Sequence, residues 1–268
     1  MVGILFIPGI VLLAWAGGIP LGAFVTLTAC IGYWEFCKIA QAREMEPEGA
    51  IGLIGILALN IDAWHNAGLA FFPILTALTL CVGITGIWRK RAKSPLLNAC
   101  ATLFGVLYTG GLLSHLILLR SLPLTNGAAN GEMGAVLLAF VIPWFCDTAA
   151  YFTGRAIGRH KLIPRVSAGK TIEGTVGGVI GALVGLLALR TEVFPFLSIA
   201  ECLFLGAIGA IVAQLGDLTE SLFKRDAGIK DSSHLIPGHG GVLDRFDSVL
   251  FVAPFVYYYL CYRDLILP

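Results

Sequence analysis

Charged side chains are scarce in this sequence: Asp, Glu, Lys and Arg supply 13% of its 268 residues, against 57% hydrophobic ones. With a mean hydropathy of +0.85, there are more apolar residues than the core of a water-soluble domain can hold, so most must face lipid or other buried helices. A polytopic membrane protein follows, and a separate soluble domain is excluded. The seven cysteines lie scattered through apolar runs without a C-x-x-C pair. That removes a disulfide framework or a zinc site and leaves them as small buried hydrophobes. No Lys or Arg precedes the first apolar run, so Ala14-Trp15-Ala16 lacks the cationic lead that a signal peptide would need. An internal repeat and a low-complexity tail are also missing.

What is present is a series of apolar segments. A span needs about 17 to 25 mostly apolar residues, and backbone in lipid must close its hydrogen bonds internally, which makes helices the default. About nine such segments are expected: 2–18, 21–40, 50–64, 69–88, 96–119, 134–157, 174–189, 199–223 and 242–262. The fold class is all-α, a single integrated membrane domain. Residues 1–132 carry helices one to five, and 133–268 the catalytic helices six to nine with their loops. Glu35 falls near the end of the second segment. Asp62, beside the turn at 65–68, is expected to be a solvated interfacial acid, because charge inside a bilayer is costly. Gly174, Gly177, Gly178, Gly181 and Gly185 give the seventh segment small faces for close helix packing.

Cations are distributed unevenly. If the N-terminus is cytoplasmic, fifteen of the eighteen Lys and Arg residues lie in loops or helix ends on the cytoplasmic side, and only Arg120, Arg190 and Arg263 on the other. Positive-inside asymmetry of this size supports that topology.

It also places the densest charge of the chain, Ser221 to Asp247, in the cytoplasm. Asp244 and Asp247 are three residues apart, so on a helix their carboxylates share a face, near an N-terminus whose dipole favours negative charge. Oxygen donors of this kind suit a hard cation such as Mg²⁺, and Asp217 in the eighth segment is the third candidate ligand. The alternative, that Asp244 merely pairs with Arg245 or another cation, stays open at this point. Pro237-Gly238-His239-Gly240-Gly241 precedes the two acids, and its glycines permit positive φ and leave amides open to a phosphate. Lys224, Arg225 and Lys230 precede that loop. Cations, a metal and open amides together suit a polyanionic substrate whose phosphate is attacked. A second cationic stretch runs from Arg159 through Lys161 and Arg165 to Lys170. Its Gly169-Lys170-Thr171 is not a P-loop: the pattern needs a glycine at Pro164, and no strand is expected before it. Lys170 is instead expected to contact a triphosphate.

These residues resemble the phosphatidate cytidylyltransferases, or CDP-diacylglycerol synthases, of bacterial type. The similarity rests on Ser221, Phe223, Lys224-Arg225, Lys230-Asp231, Ser233, Ile236-Pro237, His239-Gly240-Gly241 and Asp244-Arg245-Phe246-Asp247. It extends to Gly216-Asp217-Leu218, Asp147-Thr148-Ala149-Ala150-Tyr151 and Lys161-Leu162. Where the family usually shows Ser-Pro-Lys-Lys-Thr-Trp-Glu-Gly, this chain has SAGKTIEG: Ser167, Lys170, Thr171, Glu173 and Gly174 are kept, and the proline, one lysine and the tryptophan are replaced.

The resemblance implies that CTP and phosphatidate yield CDP-diacylglycerol and pyrophosphate at the cytoplasmic face of a bacterial inner membrane. Asp217, Asp244 and Asp247 are the implied metal ligands, with Lys224, Arg225 and His239 as further catalytic residues. Lys161, Ser167, Lys170, Thr171, Lys230, Asp231, Gly240, Gly241, Arg245 and Asp147 are the implied substrate contacts. Mg²⁺ and a second, monovalent cation such as K⁺ are the implied ions, and a homodimer the implied assembly; no nucleic-acid partner is expected. A rival enzyme, one that transfers from a CDP-alcohol, would need an Asp-Gly-x-x-Ala-Arg run that is missing. A cation channel using intramembrane acids is the rival of another class. The absence of an inverted repeat and the gathering of acids at one end weigh against it.

Overall fold

The computed structural model describes residues 2–88, 93–124, 131–233 and 240–266. Each apolar segment expected from the sequence is helical in it. In order these are α1 (Val2–Ala16), α2 (Gly18–Gln41), α3 (Gly49–His65) and α4 (Phe71–Trp88), followed by α5 (Pro95–Gly105) and α6 (Leu112–Arg120). A π-helical turn, Val106–Gly111, joins α5 to α6. Then come α7 (Gly131–Ile157), α8 (Ile172–Leu189), α9 (Ile199–Asp226) and α10 (Leu243–Ile266). Among the described residues, six stretches are long and apolar enough to cross a bilayer: α2, α4, the continuous run Pro95–Arg120, α7, α8 and α9. The apolar part of α1 and the whole of α3 are shorter, and α10, with charges at both ends, is not among the six. The protein is thus a multi-span helical membrane protein.

The all-α expectation needs one amendment. β1 (Lys161–Ile163) and β2 (Ser167–Thr171) form an antiparallel hairpin between α7 and α8, with Lys161 opposite Thr171. The expectation of no strand around Gly169-Lys170-Thr171 is therefore corrected. Pro164 cannot donate to a ladder and favours a turn, and Val166, buried at the bend, anchors the tip.

By internal contacts the chain forms two compact units, each discontinuous in sequence: residues 1–17, 119–222 and 247–268 in the first, 18–118 and 223–246 in the second. The sequence division at residue 132 follows chain order, whereas these units interleave.

In the first unit α7 and α8 pack closely along the glycine face of α8. A Cβ added at Gly178 would stand 2.9 Å from Cys146 Sγ and 3.0 Å from the Cys146 carbonyl, and one at Gly181 would stand 2.9 Å from the Phe145 carbonyl. In the second unit Phe36, Phe104, Tyr108 and Phe223 form an aromatic cluster, with Phe104 and Tyr108 stacked at 5.5 Å. Asp62 is not solvated as expected. It is buried at 3% exposure, and its Oδ1 accepts from the Ala70 amide at 3.0 Å, closing the turn after α3. A short carboxylate folding back on an orphaned amide costs less here than reaching for solvent. The cysteines are free, but Cys81, Cys100 and Cys261 are exposed rather than buried, as befits helices whose outer face is apolar.

Gly178→Ala should therefore lower stability by about 1–3 kcal/mol through overpacking against backbone. Gly83→Ala, at a position with open space around it, should be neutral or slightly stabilising. Thermal unfolding of the two variants in detergent compares them.

Candidate active site

In the first unit α7, β2, the start of α8 and α9 surround a cavity of about 560 Å³, within the size range of small-molecule sites. Asp147, Tyr151 and Arg155 come from α7, Ser167, Lys170 and Thr171 from β2, and Gln214 and Asp217 from α9. Lys170 Nζ lies 2.7 Å from Asp217 Oδ2 and 3.5 Å from the Gln214 carbonyl. The Ser221 hydroxyl donates to the other Asp217 oxygen at 3.2 Å. With side-chain exposures of 22% and 29%, Lys170 and Asp217 are partly shielded, so their attraction is screened less than that of a surface pair.

Local sequence explains how Lys170 comes to face this space. Thr171 caps α8: its backbone is extended, and its Oγ1 accepts from the Gly174 amide at 3.1 Å. Glu173, in the first turn, accepts from the amides of Arg159 and His160 at 3.1 and 3.2 Å. The hairpin is thereby fastened at its base to the helix it feeds. Within SAGKTIEG the replaced positions Ala168, Gly169 and Ile172 are exposed, whereas Ser167, Lys170, Thr171, Glu173 and Gly174 are half-buried or buried. Of the replaced positions, Gly169 lines the cavity beside Lys170, whereas Ala168 on β2 and Ile172 at the start of α8 do not.

Gln214 is a residue to which the sequence reading assigned no role. Its amide donates to the Thr175 carbonyl at 3.3 Å and toward Cys146 Sγ at 3.5 Å, tying α9 to α8 and α7 one turn before Asp217. Next to Asp217, a Cβ on Gly216 would stand 2.5 Å from the Asp247 carbonyl. Glycine there lets α9 touch α10 beside Asp247, whose Oδ1 accepts from the Ser248 amide at 2.6 Å.

The second unit holds Asp244. Its Oδ1 pairs with Lys224, while Oδ2 accepts from the Ser232 amide at 3.1 Å, the Ser232 hydroxyl at 2.8 Å and the Gly241 amide at 2.8 Å. The sequence had left open a pairing of Asp244 with Arg245 or another cation; the cation is Lys224. Gly240 adopts φ +79°, as the glycine-rich loop leads one to expect. Arg225, Lys230, Asp231 and Arg245 are exposed, as is Lys161 on the hairpin of the first unit. His239 lies outside the described residues.

Among the described residues no group of three or more His, Cys, Asp or Glu side chains is placed to hold a metal ion. The donor chemistry nevertheless fits Mg²⁺. Asp217 offers hard oxygen atoms at a partly open cavity, and Mg²⁺ is usually held by one or two carboxylates, with water and substrate phosphates completing its shell.

Membrane-spanning helices around a cavity lined by two acids and two cations define an integral membrane protein with a charged pocket. The profile of the cytidylyltransferase family matches residues 1–263. The phosphatidate cytidylyltransferase of Synechocystis sp. is 35% identical over 271 residues, covering 91% of this chain and 89% of its own length. That of Staphylococcus saprophyticus is 35% identical over 242 residues, covering 89% and 88%, and that of Staphylococcus aureus is 33% identical over 240 residues, with the same coverage. The chain belongs to the cytidylyltransferase family.

Thr171→Val removes the cap acceptor and should cost about 1 kcal/mol of stability, whereas Thr171→Ser should retain it. Chemical denaturation of both variants in mixed micelles measures the difference.

Proposed function

We propose that this chain transfers the cytidylyl group of CTP to phosphatidate, giving CDP-diacylglycerol and pyrophosphate. The observation that carries the reading is the cavity in which Lys170 and Asp217 meet near the capped N-terminus of α8, in a chain whose residues 1–263 match the family. An ammonium, a helix N-terminus and hydroxyl donors from Ser167 and Tyr151 suit the phosphates of a nucleotide. The same family membership leaves the channel reading without support.

In the reaction an oxygen of the lipid phosphate attacks the α-phosphorus of CTP. The bond from that phosphorus to the bridging oxygen of the β-phosphate breaks, and pyrophosphate departs. Lys170 holds nucleotide phosphate, with Ser167, Thr171, Lys161 and Asp147 as further contacts around it. Lys224 and Arg225 are assigned to the departing pyrophosphate, and His239, Lys230, Asp231, Gly240, Gly241 and Arg245 to substrate. Asp217, Asp244 and Asp247 are the residues that would hold Mg²⁺, whose chemistry there is neutralisation of phosphate charge. Transfer of this kind depends mainly on positioning and electrostatics, and a lipid phosphate already largely ionised at neutral pH needs no dedicated base. A monovalent second ion, a homodimer and a cytoplasm-facing site in a bacterial inner membrane belong to the same proposal.

Purified protein in detergent, given labelled CTP, phosphatidate and Mg²⁺, should form a CDP-lipid; absence of that product sinks the reading. Lys170→Met should lower kcat/KM for CTP by about 100-fold or more, in line with loss of one donor to a phosphate in a shielded site. Turnover by Asp244→Asn equal to that of the unmodified protein would remove Asp244 from the metal set.

A further inference from the structure

Glu35 is an acid in the C-terminal half of α2, and no side-chain oxygen of it reaches solvent: the residue is 0% exposed. An ionised carboxylate buried among apolar helices persists only with donors around it, and Glu35 has three of its own and a fourth within reach that it shares with Asp244. Its Oε2 accepts from the Leu243 amide at 2.6 Å and its Oε1 from the Val242 amide at 3.0 Å, at the first turn of α10. The Ser233 hydroxyl donates to Oε1, and the Ser232 hydroxyl lies 3.2 Å from Oε2. These donors come from two stretches of the chain, Ser232–Ser233 and Val242–Leu243, so one side chain fastens both.

The Ser232 hydroxyl is also 2.8 Å from Asp244 Oδ2. A hydroxyl carries one proton. With the Val242 and Leu243 amides and Ser233 answering Glu35, that proton is left for the nearer carboxylate, Asp244. Gly241 sits in the same knot: its amide donates to Asp244, and a Cβ there would stand 2.6 Å from Glu35 Oε1. Every donor to Asp244 Oδ2 named above belongs to a segment that Glu35 holds.

We infer that Glu35 is a positioning residue for the cytidylyl-transfer site: it sets the first turn of α10 and Ser232, and through them the orientation of Asp244. This rests on the reading of Asp244 as a metal-holding acid. Replacing Glu35 by glutamine keeps the shape but turns an amide group toward N–H and O–H donors, which loosens the knot without opening a cavity.

The test uses the full-length protein in detergent, with Mn²⁺ binding in the presence of CTP followed by electron paramagnetic resonance alongside steady-state kinetics and the thermal midpoint. Glu35→Gln should weaken Mn²⁺ binding and lower kcat, each by about 10- to 100-fold, as loss of a residue supporting a ligand does. KM for phosphatidate should hold within about twofold, since a side chain with no exposed surface offers the lipid nothing to contact. Unchanged Mn²⁺ affinity overturns the inference, whether activity is retained or is lost together with the thermal midpoint. Should Glu35→Gln fail to accumulate, Ser232→Ala removes only the shared hydroxyl. It should weaken Mn²⁺ binding in the same direction, and no change overturns the proposal. Asp244→Asn separates the two readings: wild-type Mn²⁺ binding and turnover in that variant dismiss Asp244 itself, whereas their loss beside an unaffected Glu35→Gln dismisses only the role of Glu35.

Discussion

An ionised group among apolar helices has no bulk water to answer it, so the protein must supply each partner from its own chain. Much of the architecture follows from how four carboxylates meet that demand. Asp62 takes a backbone amide of its own turn. Asp217 takes Lys170 and Ser221. Asp244 takes Lys224, Ser232 and Gly241. Glu35, the most deeply buried of them, takes amides and hydroxyls from residues about 200 positions away in sequence. Where the partner is local, as at Asp62, the result is a turn. Where it is a lysine, as at Asp217 and Asp244, the result is an ion pair.

Close backbone approach is the second requirement. The glycines of α8 let it lie against α7, and Gly216 lets α9 meet α10 beside Asp247. Gln214 then ties α9 to both α7 and α8. Asp217 consequently sits on a helix held on several sides, while the lysine facing it is delivered by a hairpin fastened through Glu173 and Thr171. A rigid acid opposite an anchored cation is the preorganised arrangement that charge-stabilised phosphoryl chemistry favours.

The helical segments were legible because lipid imposes long apolar runs, and their observed bounds differ from the expected ones by only a few residues. Lys170 and Asp217 were singled out through charge density and family resemblance, and they line one cavity. The hairpin was not, since three- and five-residue strands carry too short a pattern to register, although Pro164 marked its turn. Asp62 was misjudged because cost arguments weigh water against lipid and overlook a nearby amide. Glu35 was seen but given no role: its partners lie in Ser232 to Leu243, and a contact over that separation leaves no local trace. The signal that could have singled it out was the rarity of an acid inside an apolar span.

The central claim is attack by a lipid phosphate on the α-phosphorus of CTP. It is tested most directly by following two position-specific labels through one turnover mixture of purified protein, phosphatidate and Mg²⁺. Label at the α-phosphorus should appear in the organic-soluble lipid and label at the γ-phosphorus in pyrophosphate, in equal amounts. Transfer of the γ-label to lipid, or release of the γ-label as inorganic phosphate with no lipid labelling, would contradict the account.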